Sequence, residues 1–168
     1  MDLNQEQLAL IGSLLEKKQT YYRLAYSLTG NEADALDAIS QMTVQVVEKI
    51  HTLRSNDAFP AWSKKILVNV CREFWRKNSK SVPLDEALAV ESAGRTASGL
   101  AIEDELILRQ FIASLPEIHR EVIYLRFYLD YEYKDIALLL DVPEGTVKSR
   151  LNRALESLRE QMGGALHG

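Results

Sequence analysis

Between residues 131 and 160 apolar positions recur at helical spacing, stop, and then recur again. Ile136, Ala137, Leu139 and Leu140 give a short helix an inward stripe. Asp141-Val142-Pro143-Glu144 ends it, because a proline cannot continue the ladder of amide bonds. A second helix restarts near Gly145-Thr146. With successive residues about 100° apart, Val147, Leu151, Ala154, Leu155 and Leu158 share one face, and Thr146, Ser149, Asn152 and Arg153 share the opposite one. Lys148 and Arg150 fall on the flanks. A helix lying in a major groove needs this division, with small polar and basic groups toward base edges and flanking cations toward phosphates. A merely solvated amphipathic hairpin would not require those features to coincide with a short turn.

The same periodicity predicts N-terminal helices near residues 4–28, 32–51 and 58–77. Gly30-Asn31 separates the first two, with Asn31 an N-cap and Glu32 and Asp34 acidic in the first turn. On the second helix Ala35, Ile39, Met42, Val46 and Ile50 form the inward stripe, while Asp34, Asp37, Gln41, Val44, Gln45 and Glu48 face outward. Such a polar face is most simply solvated, yet Val44 sits in its middle. On the third helix Phe59, Trp62, Ile66, Val70 and Phe74 point one way, and Lys64, Lys65, Val68, Arg72 and Trp75 the other, extended by Arg76 and Lys77. Cations interleaved with an aromatic suit a surface that follows a nucleic-acid backbone and stacks on unpaired bases; a Trp75 tucked under a loop would leave the basic stripe intact.

Ser, Gly, Ala and Pro replace these patterns over residues 78–102, which read as a flexible linker with at most a short turn around Leu84 to Val90. The expected fold class is therefore all-α: two small helical domains, residues 1–77 and 103–168, the second containing a helix-turn-helix. Each is small for independent stability, so contact with each other or with a partner is expected to add to both.

Composition changes this picture little. The 168 residues are 46% hydrophobic and 26% charged, ordinary for a soluble globular protein. The single Cys excludes an internal disulfide, and no apolar run or basic leader suggests a membrane span or secretion, so a cytoplasmic location without membrane insertion is expected. The net charge of −4 is unevenly distributed: residues 62–80 hold six Lys or Arg and one acid, and residues 146–155 three cations and no acid. Local field steers toward phosphate more than the sum does. The acidic total nevertheless implies weak DNA affinity for the isolated chain and a partner with more basic surface. His51, His119 and His167 are scattered and Cys71 stands alone on a helix edge, so no catalytic cluster, metal-ligand spacing or phosphate-cradling loop emerges. Binding without catalysis, cofactor or metal is the expectation.

Phe59-Pro60-Ala61-Trp62, Ile66, Asn69 and Arg76, followed by Leu115-Pro116, Arg120, Leu125-Arg126-Phe127, Lys134-Asp135-Ile136-Ala137 and Gly145-Thr146-Val147-Lys148-Ser149-Arg150, closely resemble the extracytoplasmic-function sigma factors of bacterial RNA polymerase. Tyr26 to Gly30, Ala33-Asp34-Ala35 and Asp37 also fit. The resemblance covers nearly the whole chain and is most specific in its C-terminal half. It implies a promoter-specificity subunit of the kind used in stress responses, which binds core RNA polymerase reversibly. By that resemblance Asp37, Gln41, Val44, Gln45 and Glu48 meet the clamp of the largest subunit. The loop from about Leu53 to Phe59, with Lys64, Lys65, Asn69, Arg72, Trp75 and Arg76, holds the melted minus-ten strand. Thr146, Lys148, Ser149, Arg150, Asn152 and Arg153 read the minus-thirty-five duplex from a domain seated on the polymerase flap. A cognate anti-sigma factor that wedges between the domains is a further expected partner.

Two positions depart from the family pattern. Ser40-Gln41-Met42-Thr43 stands where a Gln-Glu or Gln-Asp pair and an aromatic are usual, and Asp141 stands at a turn position often filled by Gly. Two rival readings account for less of the chain. A stand-alone helix-turn-helix regulator leaves the stripe from Trp62 to Lys77 unexplained. A helical adaptor or sequestering protein leaves Ser149, Asn152 and Arg153 without a purpose.

Overall fold

The computed structural model describes residues 2–78 and 102–167, all of whose regular structure is helical, as the periodicity predicted. Backbone packing divides the chain into two compact units, Met1–Ser79 and Lys80–Gly168. The expected turn around Leu84 to Val90 lies outside the described residues.

The N-terminal unit contains α1 (Gln5–Glu16), α2 (Lys18–Thr29), α3 (Glu32–Lys49) and α4 (Phe59–Asn78), with 3-10 turns at Ile50–Thr52 and Asn56–Ala58 between the last two. A reciprocal capping box opens α1: Asn4 accepts the Gln7 amide at 2.7 Å, and Gln7 accepts the Asn4 amide at 3.0 Å. The single helix expected over 4–28 is in fact two. Lys17 leaves the helical region at φ −105°, ψ 24°, and its carbonyl takes the amides of Thr20 and Tyr21 to start α2. The break uses neither Gly nor Pro, which is why the sequence pattern runs through it. Gly30, at φ 88°, closes α2 in the left-handed region that costs glycine little. Asn31 then caps α3, accepting the Asp34 amide at 2.8 Å.

Small residues let these helices approach closely: Ala25, Ala35 and Ala38 are fully buried beside Leu24, Met42, Val46 and Leu67. The buried stripe of α4 runs through Phe59, Ser63, Leu67, Val70 and Cys71, rotated from the expected one. Trp62, Ile66 and Phe74 are only half-buried, and Cys71, expected at an edge, is in the core. The rotation is possible because Ser63 carries its polar group inward with partners. Its hydroxyl meets the buried Tyr21 hydroxyl at 2.6 Å and reaches the Pro60 carbonyl at 3.1 Å.

The C-terminal unit contains α5 (Ile102–Ser114), α6 (Glu117–Ile123), α7 (Tyr133–Leu140) and α8 (Glu144–His167). A π turn over Tyr124–Tyr128 widens the end of α6, where the Leu129 amide reaches back to the Tyr124 carbonyl at 3.0 Å. Ile112, Val122, Leu125, Ile136, Val147, Leu151 and Ala154 form the core. Two arginines are buried at its margin. The Arg109 guanidinium lies 4.4 Å from the centre of the Tyr128 ring. Arg120 donates to the Leu115 carbonyl at 3.4 Å, and burial lowers its pKa to about 10 against the opposing pull of Tyr124, Glu121 and Glu117. It therefore remains cationic at neutral pH. Among the described residues no helix is long and apolar enough to cross a membrane.

Candidate nucleic-acid interface

The interface in the C-terminal unit rests on the turn between α7 and α8. Asp141 adopts φ 61°, ψ 46°, the left-handed conformation that its position in the sequence demanded. The Val142 amide then returns to the Ala137 carbonyl at 3.0 Å, a closure one residue longer than a helical turn that satisfies an end carbonyl of α7. The Pro143 carbonyl accepts the amides of Thr146 and Val147 at 3.0 and 3.2 Å and begins α8. Proline thus stands where it has no donor to lose.

On α8 the faces separate as the spacing predicts. Val147, Leu151, Ala154 and Leu158 are buried, whereas Lys148, Ser149, Asn152 and Arg153 are exposed. Thr146 and Arg150 are half-buried at the borders, as is Leu155. The exposed set presents two cations, a hydroxyl and an amide on one side of a rigid helix, donors and acceptors of the kind that base edges and phosphates accept. His119 on α6 is near this face. Partial burial, then the charges of Arg153 and Arg150, hold its imidazole below the usual 6.5, so it adds no cation at neutral pH. The Lys148 ammonium and the Arg126 guanidinium lie 5.6 and 5.4 Å from the centre of the Tyr133 ring.

In the N-terminal unit the basic side of α4 is narrower than expected. Asn69 and Arg76 are exposed and Lys64, Lys65, Arg72 and Trp75 half-buried. Val68, assigned to this side by its spacing, is fully buried. Arg72 donates to the Asn69 side chain at 3.4 Å, which brings those two together. Phe59 does not belong to an exposed surface: only 2% of it is accessible, and its ring packs 5.9 Å from that of Trp62. It anchors the loop before α4 instead of presenting itself to a ligand.

The outer face of α3 carries exposed Asp37, Gln41, Val44 and Glu48 with half-buried Gln45. The structure adds Leu36 and Val47, which are 49% and 37% exposed and continue the apolar strip through Val44. The sequence reading placed neither of them on either face of this helix, since an exposed apolar residue taken singly carries little signal. Their signal was their spacing, since 36, 40, 44 and 47 share one side of a helix. Among the described residues no group of His, Cys, Asp or Glu is placed to hold a metal ion.

The turn between α7 and α8 and the two-sided character of α8 define a helix-turn-helix protein. Comparison with known proteins narrows that class. Residues 14–81 match the family of sigma-70 region 2, and residues 105–158 that of sigma-70 region 4. The RNA polymerase sigma factor SigV of Bacillus subtilis (strain 168) is 32% identical over 157 residues, covering 91% of this chain and 90% of the relative. The ECF RNA polymerase sigma factor SigW of the same organism is 29% identical, covering 86% of this chain and 84% of the relative. The sigma factor RpoE from Bartonella quintana, solved in complex with the anti-sigma factor NepR, shares the fold with a TM-score of 0.62 at 22% identity over 90% of this chain and 95% of that one. The chain belongs to the extracytoplasmic-function sigma factors of bacterial RNA polymerase, transcription initiation factors and not enzymes.

Proposed function

We propose that the chain divides promoter recognition between its two units, residues 1–77 engaging core polymerase and the minus-ten element and residues 103–168 the minus-thirty-five element, with 78–102 as the linker. The observation that carries this reading is the exposure of Ser149, Asn152 and Arg153 on the face of α8 opposite the buried Val147, Leu151 and Ala154, with Lys148 exposed on the flank. Thr146 and Arg150 complete the duplex-contacting set from the borders. On α4 the melted strand meets Lys64, Lys65, Asn69, Arg72, Trp75 and Arg76, with Phe59 supporting the loop from within the core. The outer face of α3, with Asp37, Gln41, Val44, Gln45 and Glu48, seats on the polymerase clamp, and Leu36 and Val47 give that contact its apolar centre. The C-terminal unit seats on the flap.

The work is done by binding. Holding bases outside the stack offsets an unstacking cost of a few kcal/mol per base, and polymerase performs the chemistry. The protein acts in the cytoplasm, where its polymerase is, and is held in reserve by an anti-sigma factor, in keeping with the NepR complex of its structural neighbour. Permanganate probing of promoter thymines in the reconstituted holoenzyme tests the division of labour. Lys65→Glu should abolish thymine reactivity near the minus-ten element while the holoenzyme still forms; reactivity equal to that of the unaltered protein would remove α4 from strand capture.

A further inference from the structure

Tyr133 opens α7, and its ring carries two cations: the Arg126 guanidinium 5.4 Å and the Lys148 ammonium 5.6 Å from its centre, both within cation–π range. The two are held differently. Arg126 also contacts the Asp130 carboxylate and the Tyr131 carbonyl, each at 3.4 Å, so it has partners besides the ring. Lys148 is an exposed lysine on α8, a side chain that ordinarily spreads over many rotamers. The ring draws its ammonium off the outer face of α8, where Ser149, Asn152 and Arg153 project, and toward the N-terminal end of α7.

We infer that Tyr133 is a positioning residue for DNA binding: it pre-sets Lys148 as a phosphate contact, separate from the groove-facing side chains of α8. The inference rests on the reading that α8 meets promoter duplex. Fixing the ammonium in advance lowers the ordering cost of that contact, and a cation held at the flank meets a backbone that is the same for every base. Tyr133 itself need touch no DNA. Its hydroxyl is dispensable for this role, since the face of the ring makes the interaction.

The test measures binding of holoenzyme to duplex fragments carrying the minus-thirty-five region of a promoter it uses, at several salt concentrations. Lys148→Ala should weaken binding equally for every base substitution and reduce the salt slope by about 1. Tyr133→Leu should weaken binding by roughly two- to fivefold, the range of an exposed cation–π contact. Tyr133→Phe should bind like the unaltered protein, and Tyr133→Leu should have no further effect once Lys148 is Ala. Equal losses from Tyr133→Leu with Lys148 present and absent, or a loss confined to one base position, would overturn the inference. Proton shifts of the Lys148 ε-methylene in the DNA-free chain give an independent reading. Ring-current displacement that vanishes in Tyr133→Leu supports the arrangement, and an undisplaced signal in the unaltered protein refutes it. Failure of the holoenzyme to distinguish promoter from other duplex would instead count against the underlying reading, and the methylene signal would still decide the placement of Lys148.

Discussion

The hydroxyls of Tyr21 and Ser63 meet at 2.6 Å in the core of the N-terminal unit and join α2 to α4. Ser63 also reaches the Pro60 carbonyl, which can only accept, so the proton of Ser63 goes there and Tyr21 is the donor to Ser63. The chain of bonds ends in the first turn of α4, just beyond the loop assigned to strand capture.

Removing one or the other of the two hydroxyls has different consequences. Tyr21→Phe takes away a donor and leaves Ser63 bonded to Pro60, a loss of about 1 kcal/mol. Ser63→Ala strands the buried Tyr21 hydroxyl and should cost more, roughly 1–3 kcal/mol. Chemical denaturation of the two variants checks the order, and equal or inverted losses would contradict the assigned direction. Burial raises the Tyr21 pKa above 10.0. Its contribution is therefore complete below 10.0 and declines as pH rises through the folded-state value.

The left-handed turns give a second contrast. Asp141→Gly should preserve the fold and stabilise it by up to about 1 kcal/mol, because glycine adopts φ 61° without a Cβ clash. Gly30→Ala should destabilise by a similar amount, about 1 kcal/mol, since φ 88° strains any L side chain even where space is open. Thermal melts of both variants read the signs, and a loss of stability in Asp141→Gly would show that the carboxylate contributes more than the backbone strain costs.

Charge on the apolar strip of α3 should separate folding from assembly. Leu36→Glu and Val44→Glu lie on exposed positions and should leave the melting temperature nearly unchanged. Each should lower the yield of holoenzyme in gel filtration with core polymerase by tenfold or more, about 1.4 kcal/mol. Full holoenzyme yield from both variants would place the clamp contact elsewhere.

His119 should leave a pH signature. Its pKa is held below 6.5 in the folded chain, so the unfolded chain takes up the proton first as pH falls. Stability should therefore decline on acidification through 6.5 toward the folded value and be fully restored above that range. Melts between about pH 5.5 and 7.5 should show a shallower dependence in His119→Gln than in the unaltered chain. An unchanged slope would assign the pH dependence to other groups.

Much of this arrangement was legible in the sequence because local rules and tertiary packing agree there. The spacing of Val147, Leu151, Ala154 and Leu158 identified the buried face of α8, and Asn31 announced the start of α3 by its side-chain chemistry alone. Disagreements arose where a tertiary partner changed a residue's meaning. Ser63 reads as polar surface, but Tyr21 supplies the bond that lets it sit in the core, and the stripe of α4 rotates with it. That rotation carries Cys71 inward and leaves Trp62 half-exposed. Phe59, placed on the DNA-contacting surface by resemblance, is enclosed by contacts that one-dimensional spacing does not contain. The break at Lys17 was invisible for a related reason, since no Gly or Pro marks it.

Arg153 gives the most selective probe of the recognition helix. Its side chain is exposed on the outer face of α8, beyond the flank that Lys148 occupies. Arg153→Ala should reduce promoter use in a manner that depends on one base of the minus-thirty-five element, by about 1–3 kcal/mol at the preferred base. Equal losses for all bases would reassign Arg153 to phosphate.

The most direct measurement is run-off transcription by core bacterial RNA polymerase, with and without this protein, on genomic fragments including the region upstream of its own gene. Discrete transcripts that appear only with the protein, and that weaken when Arg153 is Ala or Lys65 is Glu, are the result expected of a promoter-specificity subunit that uses both units. Absence of transcripts together with failure to co-elute with core polymerase would contradict it and favour a regulator that binds duplex DNA by itself.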